Sequence, residues 1–187
     1  THKKFGGIIP EAAARLHSDA VHHCLNEVLA ETQLTLNDID CFAATLGPGL
    51  VGSLLIGATT ANTLSLMTAK PFRGVNHLYA HVCSNFLDSD LEPPFLCLLV
   101  SGGHTQLMHV KSLHDMTIVG ETLDDAVGEA YDKVGRLLEV GFPGGPAIDK
   151  LAKPGNPKAF TLPIARTKQP HDFSFSGLKT AALRLIE

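Results

Sequence analysis

Between Cys41 and Val75 the sequence runs apolar segment, glycine–proline break, uncharged helix, apolar segment, and few folds accept that order. Cys41-Phe-Ala-Ala-Thr-Leu46 has the length and character of a buried strand. Gly47-Pro-Gly49 breaks it. Gly52 through Ala69 carries no charged residue, so as a helix it is expected to be buried between layers. Pro71 to Val75 reads as a second strand. Strand–helix–strand order favours parallel pairing, and hence an α/β layer.

Other elements follow from periodicity. Gly6-Gly7 and Pro10 read as a turn entering a helix over residues 10–32. Its apolar stripe is Ala13, Leu16, Ala20, Cys24 and Val28, with His17, His22 and His23 facing solvent. Asp88 to Pro94 is polar and carries two prolines, which marks a loop or domain boundary. Phe95–Val100 is the strongest strand and reads as buried; Ser101-Gly-Gly103 turns it, and Thr105–Val110 returns as a hairpin. Asp124–Glu139 reads as a helix with an acidic first half. A rigid turn at Gly141–Pro146, a short helix around Ile148–Ala152, an irregular stretch from Lys153 to Pro170 and a helix from Ser176 complete the chain.

Composition narrows the function classes. The 187 residues are 44% hydrophobic, ample for a buried core. A net charge of −4 argues against a uniformly basic nucleic-acid-binding surface, though not against a local basic groove. Cys24, Cys41, Cys83 and Cys97 show no CxxC spacing and are expected to be small buried residues in a reducing cytosol. No apolar run reaches transmembrane length and no signal peptide is visible, so a cytoplasmic protein without membrane contact is expected. The sequence starts at Thr1 and stops inside an apparent helix, so both ends read as cut.

His77 and His81 sit one helical turn apart in Asn76-His-Leu-Tyr-Ala-His81. Four-residue spacing puts both imidazoles on one face, where they can grip one metal ion. The zinc-protease form of this pattern needs a glutamate after the first histidine, and here Leu78 stands there. In Val100-Ser-Gly-Gly-His-Thr105 the paired glycines permit either a tight hairpin turn or an anion-binding nest. Gly47-Pro-Gly-Leu-Val-Gly-Ser53 lacks the lysine of a P-loop; it reads as strand-to-helix packing, with a phosphate at the helix start as the other option.

Asp125, Glu129 and Asp132 fall on one helical face, with i,i+4 partners Lys133 and Arg136. Such a run is ordinarily a solvated, salt-bridged face. Gly128 inside the helix costs about 1 kcal/mol against alanine, which a close backbone or ligand approach would explain. Pro143-Gly-Gly-Pro146 with Asp149 one turn on reads as a stiff loop, or as a flat backbone against a ribose. Asp172-Phe-Ser-Phe-Ser-Gly-Leu-Lys179 reads as a helix start pinned to the core, with Ser176 as N-cap.

Taken together and in order, these motifs resemble the tRNA adenosine threonylcarbamoyltransferase family, the Gcp or Kae-type proteins formerly described as O-sialoglycoprotein endopeptidases. The residues that carry the resemblance are Gly6-Gly-Ile-Ile-Pro-Glu11, Gly47-Pro-Gly-Leu-Val-Gly52, His77-Leu-Tyr-Ala-His81, Leu99-Val-Ser-Gly-Gly-His-Thr105, Gly120-Glu-Thr-Leu-Asp-Asp125, Gly128-Glu-Ala-Tyr-Asp-Lys133, Phe142-Pro-Gly-Gly-Pro146 and Asp172–Lys179. Each is weak alone; the ordered set is specific and resembles the bacterial branch.

The resemblance implies an α/β, actin/Hsp70/sugar-kinase-like (ASKHA) two-lobe fold, present as an incomplete fragment. Residues 1–92 would be lobe one without its first strands, and 93–187 the first part of lobe two. It implies transfer of threonylcarbamoyl from threonylcarbamoyl-AMP to N6 of the tRNA adenosine 3′ of the anticodon, in tRNAs reading codons that begin with A. By position, His77 and His81 would bind one iron or zinc ion, and the third ligand, an aspartate, would lie beyond Glu187. Leu99, Val100, Ser101, Gly102 and Gly103 would line the adenylate and carbamoyl region, while Asp132, Gly145 and Asp149 would contact ribose or base. His104 is the candidate general base by type and location. Implied partners are tRNA, a paralogous subunit and a small ATPase, with the helices at 10–32 and 52–69 as candidate dimer surfaces. The competing readings are a zinc metalloprotease and a non-catalytic nucleotide-binding scaffold; the fragment alone is expected to be inactive.

Overall fold

The computed structural model describes residues 9–186. The Gly6-Gly7 turn falls outside them. The chain forms two compact units, Thr1–Ser84 and Asn85–Glu187.

In the first unit, helix α1 (Pro10–Thr32) is followed by strand β1 (Phe42–Gly47), helix α2 (Val51–Thr68), strand β2 (Phe72–Asn76) and helix α3 (His77–Cys83). Pro10 occupies the first helical turn of α1, where its missing N–H costs nothing. Strands β1 and β2 pair in parallel from Phe42↔Phe72 to Gly47↔Asn76, as a βαβ unit requires. Gly52 lets α2 approach α1: a Cβ there would meet the Ala14 methyl at 3.0 Å.

Burial expectations fail in this unit for β1, α2 and α1. Strand β1 is buried only at Phe42, with Ala43 and Leu46 exposed, because among the described residues it pairs on one side alone. Helix α2 is not enclosed, because one helix and a two-stranded sheet cover only part of its circumference; Leu66 and Met67 are about three-quarters exposed, at 74% and 75%. The α1 stripe is also misplaced. Leu16, Cys24 and Val28 are exposed, while Ala14, Val21, Leu25 and Leu29 form the half-buried face beside the buried Ala13. The two stripes are one position apart, and α1 is apolar enough on both for periodicity not to separate them. Cys24 and Cys41 are accordingly exposed rather than core residues, and Cys83 and Cys97 are half-buried.

The second unit holds an antiparallel sheet of β3 (Phe95–Val100), β4 (Thr105–Ser112) and β5 (Asp115–Glu121), in that order. Helices α4 (Val127–Leu137), α5 (Gly144–Ala152) and α6 (Ser176–Ile186) follow. The register runs from Phe95↔Val110 to Val100↔Thr105, so residues 101–104 form the tip of the hairpin. Central β4 supplies the core through Met108 and Val110, both fully buried. Strand β3 is buried on one face only: Leu99 points inward, whereas Leu96, Leu98 and Val100 are exposed, the alternation of an antiparallel edge strand.

Candidate functional site

Each unit holds its own group of candidate residues. In the first, the Asn76 side chain starts α3 by accepting hydrogen bonds from the N–H groups of Leu78 (2.9 Å) and Tyr79 (3.1 Å). The cap fixes the pitch of the first turn, so the next two histidines on that face converge. His77 Nε2 and His81 Nε2 stand 2.9 Å apart. His77 Nδ1 lies 3.2 Å from the carbonyl oxygen of Pro48, in the loop between β1 and α2. Giving its Nδ1–H to Pro48 leaves His77 Nε2 as an acceptor, and His81 Nε2–H is then the donor between the rings. His77 also borders a cavity of about 730 Å³ lined by His17, Thr45, Pro48, Ser53 and Leu54 among others.

This pair fits one side of a metal site. Histidine nitrogens lie about 2.0–2.1 Å from zinc, so two on one ion can be up to about 4 Å apart. The observed 2.9 Å lies within that span. A backbone carbonyl on the remote ring nitrogen is the usual support for a ligating histidine. Among the described residues no group of three or more His, Cys, Asp or Glu could hold a metal ion. The buried Leu78, between the histidines, packs into the core and offers no base.

In the second unit the candidate residues follow α4. This helix starts at Val127 rather than Asp124, because the residues before it are committed elsewhere. Thr122 Oγ1 donates to the Asp125 carbonyl at 2.7 Å. Asp124 accepts from the backbone of Phe175, and Asp125 binds Lys133 at 2.8 Å and also Lys179. Gly128 is therefore the second helical residue, and the close approach expected there is made by backbone: a Cβ would meet Ser101 O at 2.6 Å. Ser101 Oγ closes the hairpin tip by accepting from His104 N–H (2.9 Å) and Gly103 N–H (3.3 Å).

The three acidic residues expected on one face divide. Glu129 and Asp125 both pair with Lys133 at 2.8 Å. Asp132 instead accepts the N–H of Gly144 at 2.7 Å and so caps α5. Helix α5 consequently starts at Gly144, inside the stretch read as a rigid turn. Gly144 and Gly135 make the crossing possible, since a Cβ on Gly144 would lie 2.5 Å from Tyr131 O and one on Gly135 2.7 Å from Gly144 Cα. Gly145 has open space, its nearest neighbour being the Tyr131 Cβ at 3.8 Å. Gly145 and the exposed Asp149 share one face of α5 by four-residue spacing. Gly128 and Asp132 likewise share one face of α4, about 6 Å apart along its axis. The Ser101–Gly103 tip, Asp132 and Gly145 thus lie in sequence along α4. Leu99 is buried, so only its backbone is available; His104 is half-buried beside the tip.

Sequence reading missed the role of Asp124. It accepts hydrogen bonds from Ser174 Oγ (2.5 Å), Phe175 N–H (2.8 Å) and Ser176 N–H (3.4 Å). Helix α6 begins at Ser176 itself, so the expected Ser176 cap is replaced by an aspartate distant in sequence. Burial would push the Asp124 carboxyl up, but these hydrogen bonds together hold it below the ordinary value.

All 187 residues match the family described as tRNA N6-adenosine threonylcarbamoyltransferase. The chain belongs to this family. A tRNA N6-adenosine threonylcarbamoyltransferase of Rippkaea orientalis is 55% identical over 193 residues, covering 100% of this chain and 56% of the relative. The protein of the same description from Gloeobacter violaceus is 56% identical over 187 residues, and that of Clostridium beijerinckii 51% over 188, again covering the whole chain and 55% and 56% of the relatives. The chain therefore spans little more than half the length of these threonylcarbamoyltransferases. Among the described residues no helix is long and apolar enough to cross a membrane.

Proposed function

We propose that the protein to which this chain contributes transfers threonylcarbamoyl from threonylcarbamoyl-AMP to N6 of the tRNA adenosine 3′ of the anticodon, in tRNAs reading codons that begin with A. The observation that carries this reading is the family match over residues 1–187. In it, residues 1–92 and 93–187 belong to the two lobes of an actin/Hsp70/sugar-kinase-like fold, with further strands and helices supplied outside this chain. The protein works in the cytoplasm with a paralogous subunit and a small ATPase.

His77 and His81 hold one divalent ion, iron or zinc, with an aspartate from outside this chain. When bound, that ion supplies Lewis-acid polarisation of the threonylcarbamoyl carbonyl. The chain's own residues bind and orient. The backbone of Leu99–Gly103 faces the acyl and phosphate oxygens, and the Gly102 N–H is the donor that stabilises charge developing on them. Asp132 has one oxygen on Gly144 N–H and the other left for a ribose hydroxyl. Gly145 gives a base or ribose a flat surface, and Asp149 on the same helical face adds an acceptor. The adenosine amine attacks the carbamoyl carbon, a C–N bond forms, and the C–O bond to the adenylate phosphate breaks. AMP leaves, and His104 accepts the amine proton. A peptidase reading is disfavoured by the core position of Leu78.

The test is complementation. Cells lacking the gene receive the full-length protein, and their tRNA nucleosides are measured by mass spectrometry. Restored N6-threonylcarbamoyladenosine is expected. Its continued absence despite expression overturns the reading.

A further inference from the structure

The first two amides of α4 have no partner inside their helix, as at every helix start. One is taken by the first residue of β4 and the other by the hairpin tip. Val127 N–H donates to Thr105 Oγ1 at 2.9 Å, and Gly128 N–H donates to the Ser101 carbonyl at 3.2 Å. Thr105 is 2% exposed, and its carbonyl accepts Thr122 N–H at 2.9 Å, so both its side chain and its backbone are fixed. A methyl on Gly128 would stand 2.6 Å from Ser101 O, 2.8 Å from Gly102 Cα and 2.9 Å from Gly102 N. These are backbone atoms, which cannot rotate aside.

Within the tip, Ser101 N–H is used by the His104 carbonyl, and Gly103 and His104 N–H are used by Ser101 Oγ. Gly102 N–H has no protein partner among the described residues. Its position depends on Ser101 O and Gly102 Cα, the atoms Gly128 touches.

We propose that Thr105 and Gly128 are positioning residues, which lock the Ser101–Gly103 tip onto α4 so that Gly102 N–H is presented to an oxygen of the acyl adenylate. The proposal rests on the function proposed above. Thr105 acts only as an acceptor for Val127 N–H. A hydroxyl at that point is therefore sufficient, and a side chain of the same shape without one is not.

The test uses the full-length enzyme with its partner proteins. Thr105→Val keeps the shape and removes the acceptor; Thr105→Ser restores it. Thr105→Val is expected to raise KM for threonylcarbamoyl-AMP about tenfold, the effect of one lost hydrogen bond of about 1.4 kcal/mol. KM for tRNA stays unchanged, and Thr105→Ser behaves like wild type. Loss of folded enzyme would instead lower apparent kcat and leave both KM values alone. A folded Thr105→Val enzyme with an unchanged adenylate KM overturns the proposal, as does a serine variant equally impaired. Should Thr105→Val not fold, Gly128→Ala reads the same contact from the helix side, with the same split in KM expected and an unchanged adenylate KM decisive against it. If wild-type enzyme does not modify tRNA at all, the proposed function fails. Calorimetric binding of AMP then reads the tip directly: weaker binding to Thr105→Val supports positioning, and equal binding overturns it.

Discussion

Asp124 and Phe175 are 51 residues apart in sequence, yet the Asp124 carboxylate accepts the Phe175 N–H at 2.8 Å. With Ser174 Oγ and Ser176 N–H on the same carboxylate, one side chain before α4 caps the start of α6. Removing an N-cap acceptor costs about 1 kcal/mol, within a range of about 0.5–2. Asp124→Ala in the full-length protein should therefore lower Tm by roughly 2–4 °C, with α6 amides losing exchange protection. Asp124→Asn retains an acceptor oxygen and should lose less. Equal Tm values for wild type and Asp124→Ala would show that the cap carries nothing.

Two lysines and one aspartate set an acid limit on stability. Hydrogen bonds from Lys133 and then Lys179 hold the Asp125 carboxyl below its ordinary value. A carboxylate with a depressed folded pKa binds fewer protons folded than unfolded. Its contribution is complete above the unfolded value of about 3.9 and is lost as pH falls through the folded one. Lys133 is pushed the other way by Asp125 and then Glu129, so its contribution is complete below the ordinary lysine value and lost as pH rises through the raised folded one. Asp125→Asn should flatten the acid limb of a plot of urea midpoint against pH. An acid limb identical to wild type would remove Asp125 from this role.

The parallel pairing of β1 and β2 was legible because an uncharged helix between two short apolar runs leaves few alternatives. The burial of α2 was not, since hydrophobicity reports what a helix can bury and not what stands beside it. Strand β5 went unread although Thr117, Ile118 and Val119 are β-branched, because the segment lacks strict alternation. At the site, Gly128 announced a close approach by its cost in a helix. The identity of the approaching group, Ser101 and Gly102, depends on a contact 26 to 27 positions away that no local pattern encodes. The periodicity of α4 groups Asp132 with Asp125 and Glu129 and gives no sign of its bond to Gly144, which belongs to a helix whose start depends on that bond.

The histidine pair makes a separable prediction. In the full-length protein, His77→Ala and His81→Ala should each abolish tight binding of one zinc or iron equivalent, measured by equilibrium dialysis with elemental analysis. Asn76→Ala should weaken binding without abolishing it, because only the cap holding the two rings in register is lost, worth about 1 kcal/mol. Asn76→Asp, which keeps the acceptor, should restore it. Full metal content in a His77→Ala/His81→Ala double variant would overturn the assignment.

Gly144 and Gly145 are adjacent and should respond oppositely to alanine. A methyl on Gly144 would enter backbone at 2.5 Å from Tyr131 O and 2.9 Å from Asp132 Cα, and could be housed only by moving α5 off α4. Overpacking of this kind costs about 1–3 kcal/mol. It would also draw Gly144 N–H away from Asp132. A methyl on Gly145 meets only the Tyr131 side chain, at 3.8 Å, so its effect on stability should stay within about 0.5 kcal/mol. In the proposed function, however, that methyl stands where ribose or base would lie. Gly145→Ala should keep the wild-type Tm and bind AMP about tenfold more weakly, a difference of about 1.4 kcal/mol readable by calorimetry. Unchanged AMP affinity in Gly145→Ala would remove this glycine from the site, and an unchanged Tm in Gly144→Ala would contradict the packing of α5 on α4.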